Sequence, residues 1–277
     1  MSGRISVVTP SFNQAQFLEA TMRSVLEQDY PELEYIVVDG GSSDGSAEII
    51  RKYAGRLAWW VSEPDKGQAD AINKGLQRAT GDVVAYLNSD DLYFPGALRA
   101  IAAAFEKTPG AGVIYGRTQK IDAHGAETKP LFLTPWNARL HKTLCLVPQP
   151  SSFYSRAAWE ACGPFDGELG YVLDWDFLLR VERRFPILAI EEPISQFRVY
   201  PQTKSSAGGW VRLGEIARIA RKYDGVLNAN NLLYQALKAA HRVERTLHLD
   251  GRPLRRFVEK AGSAVWLSNS HMMHDNT

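Results

Sequence analysis

Asp90 and Asp91 stand side by side in VVAYLNSDDLYF, residues 83–94, directly after an apolar run. Two ionised carboxylates 4 Å apart repel by about 4 kcal/mol at an effective dielectric near 20. A divalent cation, a basic neighbour or open water must offset that. Oxygen ligands of this kind suit magnesium or manganese, with substrate phosphates completing the shell. The alternative is a strand-end turn with capping acids. A further acid, Asp39, precedes the glycine-rich GGSSDGS. A nicotinamide fingerprint needs its glycines after the first strand, and a Walker loop ends in Gly-Lys-Ser/Thr; neither pattern fits. An acid at a strand tip beside a close-approach turn can instead accept hydrogen bonds from a base or a ribose, while Asp44 reads as a turn or capping residue. Asp174 and Asp176 open LDWDFLLR. Acids there are commonly helix caps. In the company of the strand-end acids, Asp174 becomes a candidate general base, and Trp175, Phe177 and Leu178 supply apolar surroundings that raise a carboxyl pKa. Asp176 is the weaker choice.

The elements that must position these residues alternate along the first half of the chain. Strands are expected at 4–8, 34–39, 57–62, 82–88 and 112–116, and helices at 16–28, 46–54, 68–79 and 95–107. This order predicts an α/β fold with a parallel sheet and helices on both faces. Ligands in such sheets sit beyond the carboxyl ends of the strands. Those ends carry Thr9 to Asn13, Asp39 with its glycines, EPDKGQAD, and Asn88, Ser89, Asp90 and Asp91. The second half is less regular. Strands are expected at 118–122 and 151–155, a helix at 173–185, and two strands in ILAIEE and ISQFRVY. Long helices are expected at 210–223, about 228–247 and about 253–268, the first of them basic.

Size and composition bound the rest. The chain has 277 residues, 45% of them hydrophobic, and a formal net charge of +1. No global pull toward nucleic acid or membrane follows, and no nucleic-acid partner is expected. Cys145 and Cys162 are expected as reduced thiols. The six histidines fit no metal box. Ile5–Val8 is too short for the apolar core of a signal peptide, and no apolar run is long enough to span a bilayer. A soluble cytoplasmic protein is expected, with peripheral contact at the inner face of the membrane and a homodimer left open.

The stretch VVTPSFNQAQFLEATMRSVLEQDYPELEYIVVDGGSSDGS, together with NSDD, FD, LDWDFLLR and FRVYPQTKS, resembles the family 2 glycosyltransferases over residues 4 to about 205. The resemblance implies a GT-A fold over 1–207, with a nucleotide-sugar-binding half at 1–116, an acceptor-binding half at 117–207 and a helical extension at 208–277. It also implies inverting, metal-assisted transfer of a hexose-type sugar from a UDP, GDP or dTDP donor to a glycan or lipid-linked acceptor, in cell-surface polysaccharide synthesis. Carried over by position, Pro10, Ser11 and Asn13 lie near the nucleotide and Asp39 binds the base. Asp65, Lys66 and Gly67 flank base and ribose, while Asp70 and Asn73 face the donor. Asn88, which replaces an acid of many relatives, and Ser89 belong to the donor site, with Asp90 on the ribose or sugar. Asp91 holds Mn2+ or Mg2+, and Asp174 is the base. Gln149, Phe153 and Trp175 bind the acceptor, and Asp166 belongs to the turn after its floor. Many relatives carry histidine near Tyr200; here Arg198 and Lys204 are expected to neutralise the diphosphate. The rival expectations are a nucleotide-sugar hydrolase and a catalytically silent carbohydrate-binding domain.

Overall fold

A computed structural model describes residues 3–142, 145–204 and 209–224. The chain divides into two compact units, residues 1–141 with 145–207 and residues 142–144 with 208–277. In the second unit the helix Gly209–Asp224 carries Arg221 and Lys222 in its last turn. The helices expected near 228–247 and 253–268 lie outside the described residues.

The first unit opens with β1 (Ile5–Ser11), α1 (Ala15–Leu26), β2 (Leu33–Asp39), α2 (Ser46–Tyr53), β3 (Trp59–Ser62), α3 (Gln68–Arg78) and β4 (Val83–Tyr86). It continues with β5 (Leu92–Tyr93), α4 (Ala97–Lys107), β6 (Val113–Ile121), β7 (Glu127–Phe132), α5 (Ala138–His141), β8 (Ser152–Ser155), α6 (Arg156–Cys162), α7 (Leu173–Val181) and β9 (Ile187–Arg198). One sheet runs β3-β2-β1-β4-β8-β6-β9-β5, with β7 beside β6. The first four strands are parallel, and β8 joins β4 antiparallel, so the sheet is mixed.

Both faces of the parallel part are covered, which is why its strands read as unbroken apolar runs. Ile5 and Val7 turn to one face, where they join Leu18 and Met22 of α1 and Leu98 and Ile101 of α4. Val8 turns to the other face and meets α3 at Gly75, where a Cβ would lie 2.4 Å from the valine side chain. Glycine is therefore required there by the closeness of helix and sheet. Beyond β4, Phe165 packs against Tyr86, Tyr154, Trp159 and Phe177 in an aromatic layer that seats α6 and α7.

Two pairs of expected strands are each continuous. The runs expected at 112–116 and 118–122 form the single strand β6 (Val113–Ile121), and ILAIEEPISQFR forms the single strand β9. Their parallel pairing shifts register around Arg117, opposite Pro193. A bulge lets the ladder continue past a residue that cannot donate, so a local break in pattern did not end the strand. A boundary at 116 would cut β6 in two. The helix expected to reach 185 ends at Val181.

His141 closes α5 in full burial. Its Nδ1 accepts the Leu146 N–H at 3.3 Å, its Nε2 has no hydrogen-bond partner, and its ring lies 4.7 Å from that of Trp136. Burial pushes its pKa down from 6.5 to about 3. Between those values the unfolded chain holds a proton that the folded chain refuses. Stability must therefore fall as pH drops through this window, by at most about 1.4 kcal/mol per pH unit from this group. Urea midpoints taken from pH 7 down to pH 4 should fall less steeply for His141→Asn than for the wild type. Parallel slopes would show that His141 is protonated in the folded protein.

Candidate active site

A cavity of about 530 Å³ opens at the carboxyl ends of the parallel strands. The register brings its parts together: Ser11 pairs with Asp39, Val8 with Tyr86, and Asp39 with Ser62, so all four strand ends reach one edge. Pro10, Ser11 and Phe12 come from the end of β1, Gly40 follows β2, and Asp65 and Gly67 follow β3. Asn88, Ser89 and Asp90 follow β4, while Arg198, Tyr200 and Lys204 enter from the end of β9 and the segment after it.

The two adjacent acids part company. Asp90 lines the cavity, and its Oδ2 accepts from the Tyr200 hydroxyl at 3.1 Å. Asp91 is fully buried; its Oδ1 accepts the Arg198 N–H at 2.9 Å and its Oδ2 has no partner. Burial, then the Asp90 charge, pushes the Asp91 carboxyl well above the usual range, against the Arg198 N–H, the Asn88 amide and the Arg198 charge. Burial also raises Asp90, opposed by Tyr200. Two charges side by side are thus avoided by holding Asp91 toward its neutral form. This corrects the expected division of labour. The carboxylate open to the cavity is Asp90, and Asp91 sits beneath it because the turn points successive side chains to opposite sides. Tyr200 is itself pushed up to about 12, by burial first and then by Asp90, so its hydroxyl keeps its proton.

Arg198 departs from expectation as well. Its guanidinium donates to the carbonyls of Asp90 (2.8 Å), Asp122 (2.9 Å) and Ala123 (3.1 Å), and it lies 4.6 Å from the centre of the Phe17 ring. Backbone carbonyls occupy the group assigned to the diphosphate. Lys204 also lines the cavity, and its ammonium donates to Gln68 Oε1 at 2.8 Å.

Several expected ligand contacts are internal supports. Asp39 is fully buried, with Oδ1 accepting the Ser42 hydroxyl and Oδ2 accepting the Ser42 N–H and the Ser62 hydroxyl. It shapes the glycine turn and presents no atom to the cavity, because the β2–β3 register places Ser62 beside it. Asn13 Oδ1 accepts the Ser43 N–H, and Asp44 caps the start of α1 by accepting the Ala15 N–H. Asp70 accepts the Lys66 N–H and so fixes the loop leading to Gly67, while Lys66 itself is exposed and off the cavity lining. Asn73 is off the cavity lining and clamps both backbone polar groups of Phe165. Asp166 Oδ1 accepts the Glu168 N–H within its turn. Phe153 is wholly buried in the core against Tyr93, and Trp175 is buried with its indole donating to the His141 carbonyl. Asp176 is buried and ion-paired with Arg180. Asp174 is half-buried in the first turn of α7, where its charge helps to raise the Tyr86 and Tyr154 hydroxyls.

The sequence reading missed Phe12, Gln14 and Gln68 as cavity residues. Phe12 is 59% exposed. The available signal was position: Phe12 and Gln14 directly follow the first strand, and Gln68 stands in EPDKGQAD after the third.

Among the described residues no group of three or more acids, thiols or imidazoles converges as a metal cage. Asp90 still fits a hard cation of the kind held by one or two carboxylates plus substrate phosphates and water. Asp91 Oδ2 lacks a partner yet is sealed from the cavity, so a cation there meets Asp90.

The sequence profile of "Glycosyl transferase family 2" matches residues 6–157, and the chain belongs to that family. An uncharacterised glycosyltransferase of Mycobacterium tuberculosis is 31% identical over 185 residues, covering 64% of this chain and 68% of its own length. TuaG of Bacillus subtilis, a putative teichuronic acid biosynthesis glycosyltransferase, is 43% identical over 90 residues, 31% of this chain and 36% of its own. Among solved structures, S. aureus TarS 1–349 in complex with UDP-GlcNAc superposes with a TM-score of 0.63 at 19% identity, over 90% of this chain and 74% of that one. The mannosyltransferase PcManGT of Pyrobaculum calidifontis, in complex with GDP-Man and Mn2+, gives 0.58 at 19% identity over 99% of this chain and 81% of that one. The fold is GT-A, and the protein is a glycosyltransferase whose relatives include one named for putative teichuronic acid biosynthesis. No helix among the described residues is long and apolar enough to cross a membrane.

Arg198→Met keeps a stem over Phe17 but strips three carbonyls of their donor. An unsatisfied buried group costs about 1–3 kcal/mol. Urea unfolding should report a loss of at least about 2 kcal/mol. A loss within about 0.5 kcal/mol, the range of an ordinary surface change, would mean that the clamp does not hold the turn.

Proposed function

We propose that the cavity binds a nucleoside diphosphate sugar and that the protein transfers its hexose, with inversion, to a hydroxyl of a glycan or lipid-linked acceptor. The observation that carries this reading is the cavity lining. The Asp65 and Asp90 carboxylates, one lysine, an exposed aromatic ring and a row of amides and hydroxyls together meet the needs of a diphosphate, a base and a sugar. The nucleotide-sugar complexes of the structural relatives support it.

In this reading Phe12 stacks on the base, beside Gly40 and Asp65. A Cβ on Gly40 would lie 2.7 Å from the Asp65 carboxylate, so any larger residue at 40 would have to displace Asp65. Lys204 balances the diphosphate charge. A divalent cation, Mn2+ or Mg2+, would be held by Asp90, and when bound it would stabilise the negative charge of the departing diphosphate. Tyr200 keeps the Asp90 carboxylate oriented toward that position. Asp174 takes the proton of the acceptor hydroxyl as that oxygen attacks the anomeric carbon from the face opposite the leaving group. General base catalysis of this kind is worth about 10²- to 10⁴-fold. The relative named for teichuronic acid biosynthesis favours a cell-surface glycan as acceptor, built from the cytoplasmic side of the membrane.

The test is titration calorimetry and product analysis with UDP-GlcNAc and GDP-mannose, each with and without Mn2+. Asp174→Asn should keep donor binding and lose turnover by about 10²- to 10⁴-fold. Asp90→Ala should abolish the Mn2+ dependence of donor binding. Full turnover in Asp174→Asn removes that residue as the base. Release of free sugar at the same rate with and without acceptor would make the protein a hydrolase.

A further inference from the structure

Four side chains form one hydrogen-bonded file along the cavity wall. Lys204 Nζ donates to Gln68 Oε1 at 2.8 Å, and Gln68 Nε2 donates to Asn88 Oδ1 at 2.7 Å. Asn88 Nδ2 donates to Gln149 Oε1 at 2.9 Å, and Gln149 Nε2 donates to the Tyr86 carbonyl at 2.8 Å. The sense of the file is forced from both ends, because an ammonium group only donates and a backbone carbonyl only accepts. Turning any one amide over would set like poles against each other at both of its contacts. Lys204, Gln68 and Asn88 line the cavity, whereas Gln149 and Tyr86 do not. Gln149 is held in place by the 3-10 turn Gln149–Ser151 that leads into β8.

We propose that Gln149 is a positioning residue of the donor site. It fixes the orientation of the Asn88 amide, so that Asn88 and Gln68 offer one set of hydrogen-bonding edges to the hydroxyls of a nucleotide sugar. This rests on the nucleotide-sugar reading above, and it moves Gln149 from the acceptor side to the donor side. The amides at 88 and 149 are a matched pair. A carboxylate at 88 could not donate to Gln149, and it would add a third acid beside Asp90 and Asp91.

The test reads the amide directly and the donor separately. In proton–nitrogen correlation spectra the Asn88 side-chain NH2 pair, identified by its loss in Asn88→Asp, should shift in Gln149→Met. Affinity for UDP-GlcNAc or GDP-mannose, whichever the wild type binds more tightly, should fall about tenfold in Gln149→Met and in Asn88→Asp, as expected for one lost buried partner. The double variant N88D/Q149K should recover most of that loss, because the introduced ammonium donates both to the introduced carboxylate and to the Tyr86 carbonyl. A general packing role for Gln149 would give no such rescue. An Asn88 signal unmoved by Gln149→Met, or a double variant no better than the single ones, overturns the proposal. A wild type that binds neither donor counts against the nucleotide-sugar reading, while the Asn88 signal still decides the file.

Discussion

The Arg198 guanidinium is the tie on which the site depends. A turn of two adjacent carboxylic acids at a strand end has no reason of its own to be rigid. Arg198 makes it so by joining the Asp90 carbonyl to the carbonyls of Asp122 and Ala123, while its backbone N–H takes the Asp91 carboxyl. The Thr21 hydroxyl holds the Asp91 carbonyl from α1 at 2.8 Å. One basic side chain thereby fastens β4, β6 and β9 to the same short turn.

Electrostatics then sorts the two acids. A carboxyl without exposure and beside another acid resists ionising, so Asp91 behaves as a structural hydrogen-bonding group. Asp90 keeps the open position, braced by Tyr200. The cavity consequently presents Asp90 from the turn after β4, Asp65 from the loop after β3 and the Lys204 ammonium, with the Gln68 and Asn88 amides joined to Lys204. In the proposed reading Lys204 supplies the positive charge that stabilises a departing diphosphate.

The remaining wall is neutral, and its precision comes from connectivity. Amides are symmetric enough in shape to point either way, and hydrogen bonding alone fixes their sense. Between Lys204 and the Tyr86 carbonyl every amide has one consistent orientation. Apolar packing below, through Phe165, Tyr86 and Phe177, holds the backbone that carries this file.

Much of this was written in the chain order. The alternation of apolar runs with amphipathic stretches determined a layered sheet, and strand-end chemistry marked the edge where the cavity opens. Pro10, Ser11, Asp65, Gly67, Asn88, Ser89 and Asp90 all line the cavity, as their positions after successive strands implied. The family resemblance named the class of enzyme. What sequence alone did not decide was which way each polar residue faces. Asp91 is buried and Asp90 open because Arg198, 107 residues away, caps one and braces the backbone of the other. Asp39 is consumed by Ser62 because β2 and β3 pair in one register. Phe153 and Trp175 lie inside because the sheet and α7 close over them. Residue type and spacing select a strand end; partners brought together by the fold select a side, since a buried polar atom takes whichever orientation satisfies it.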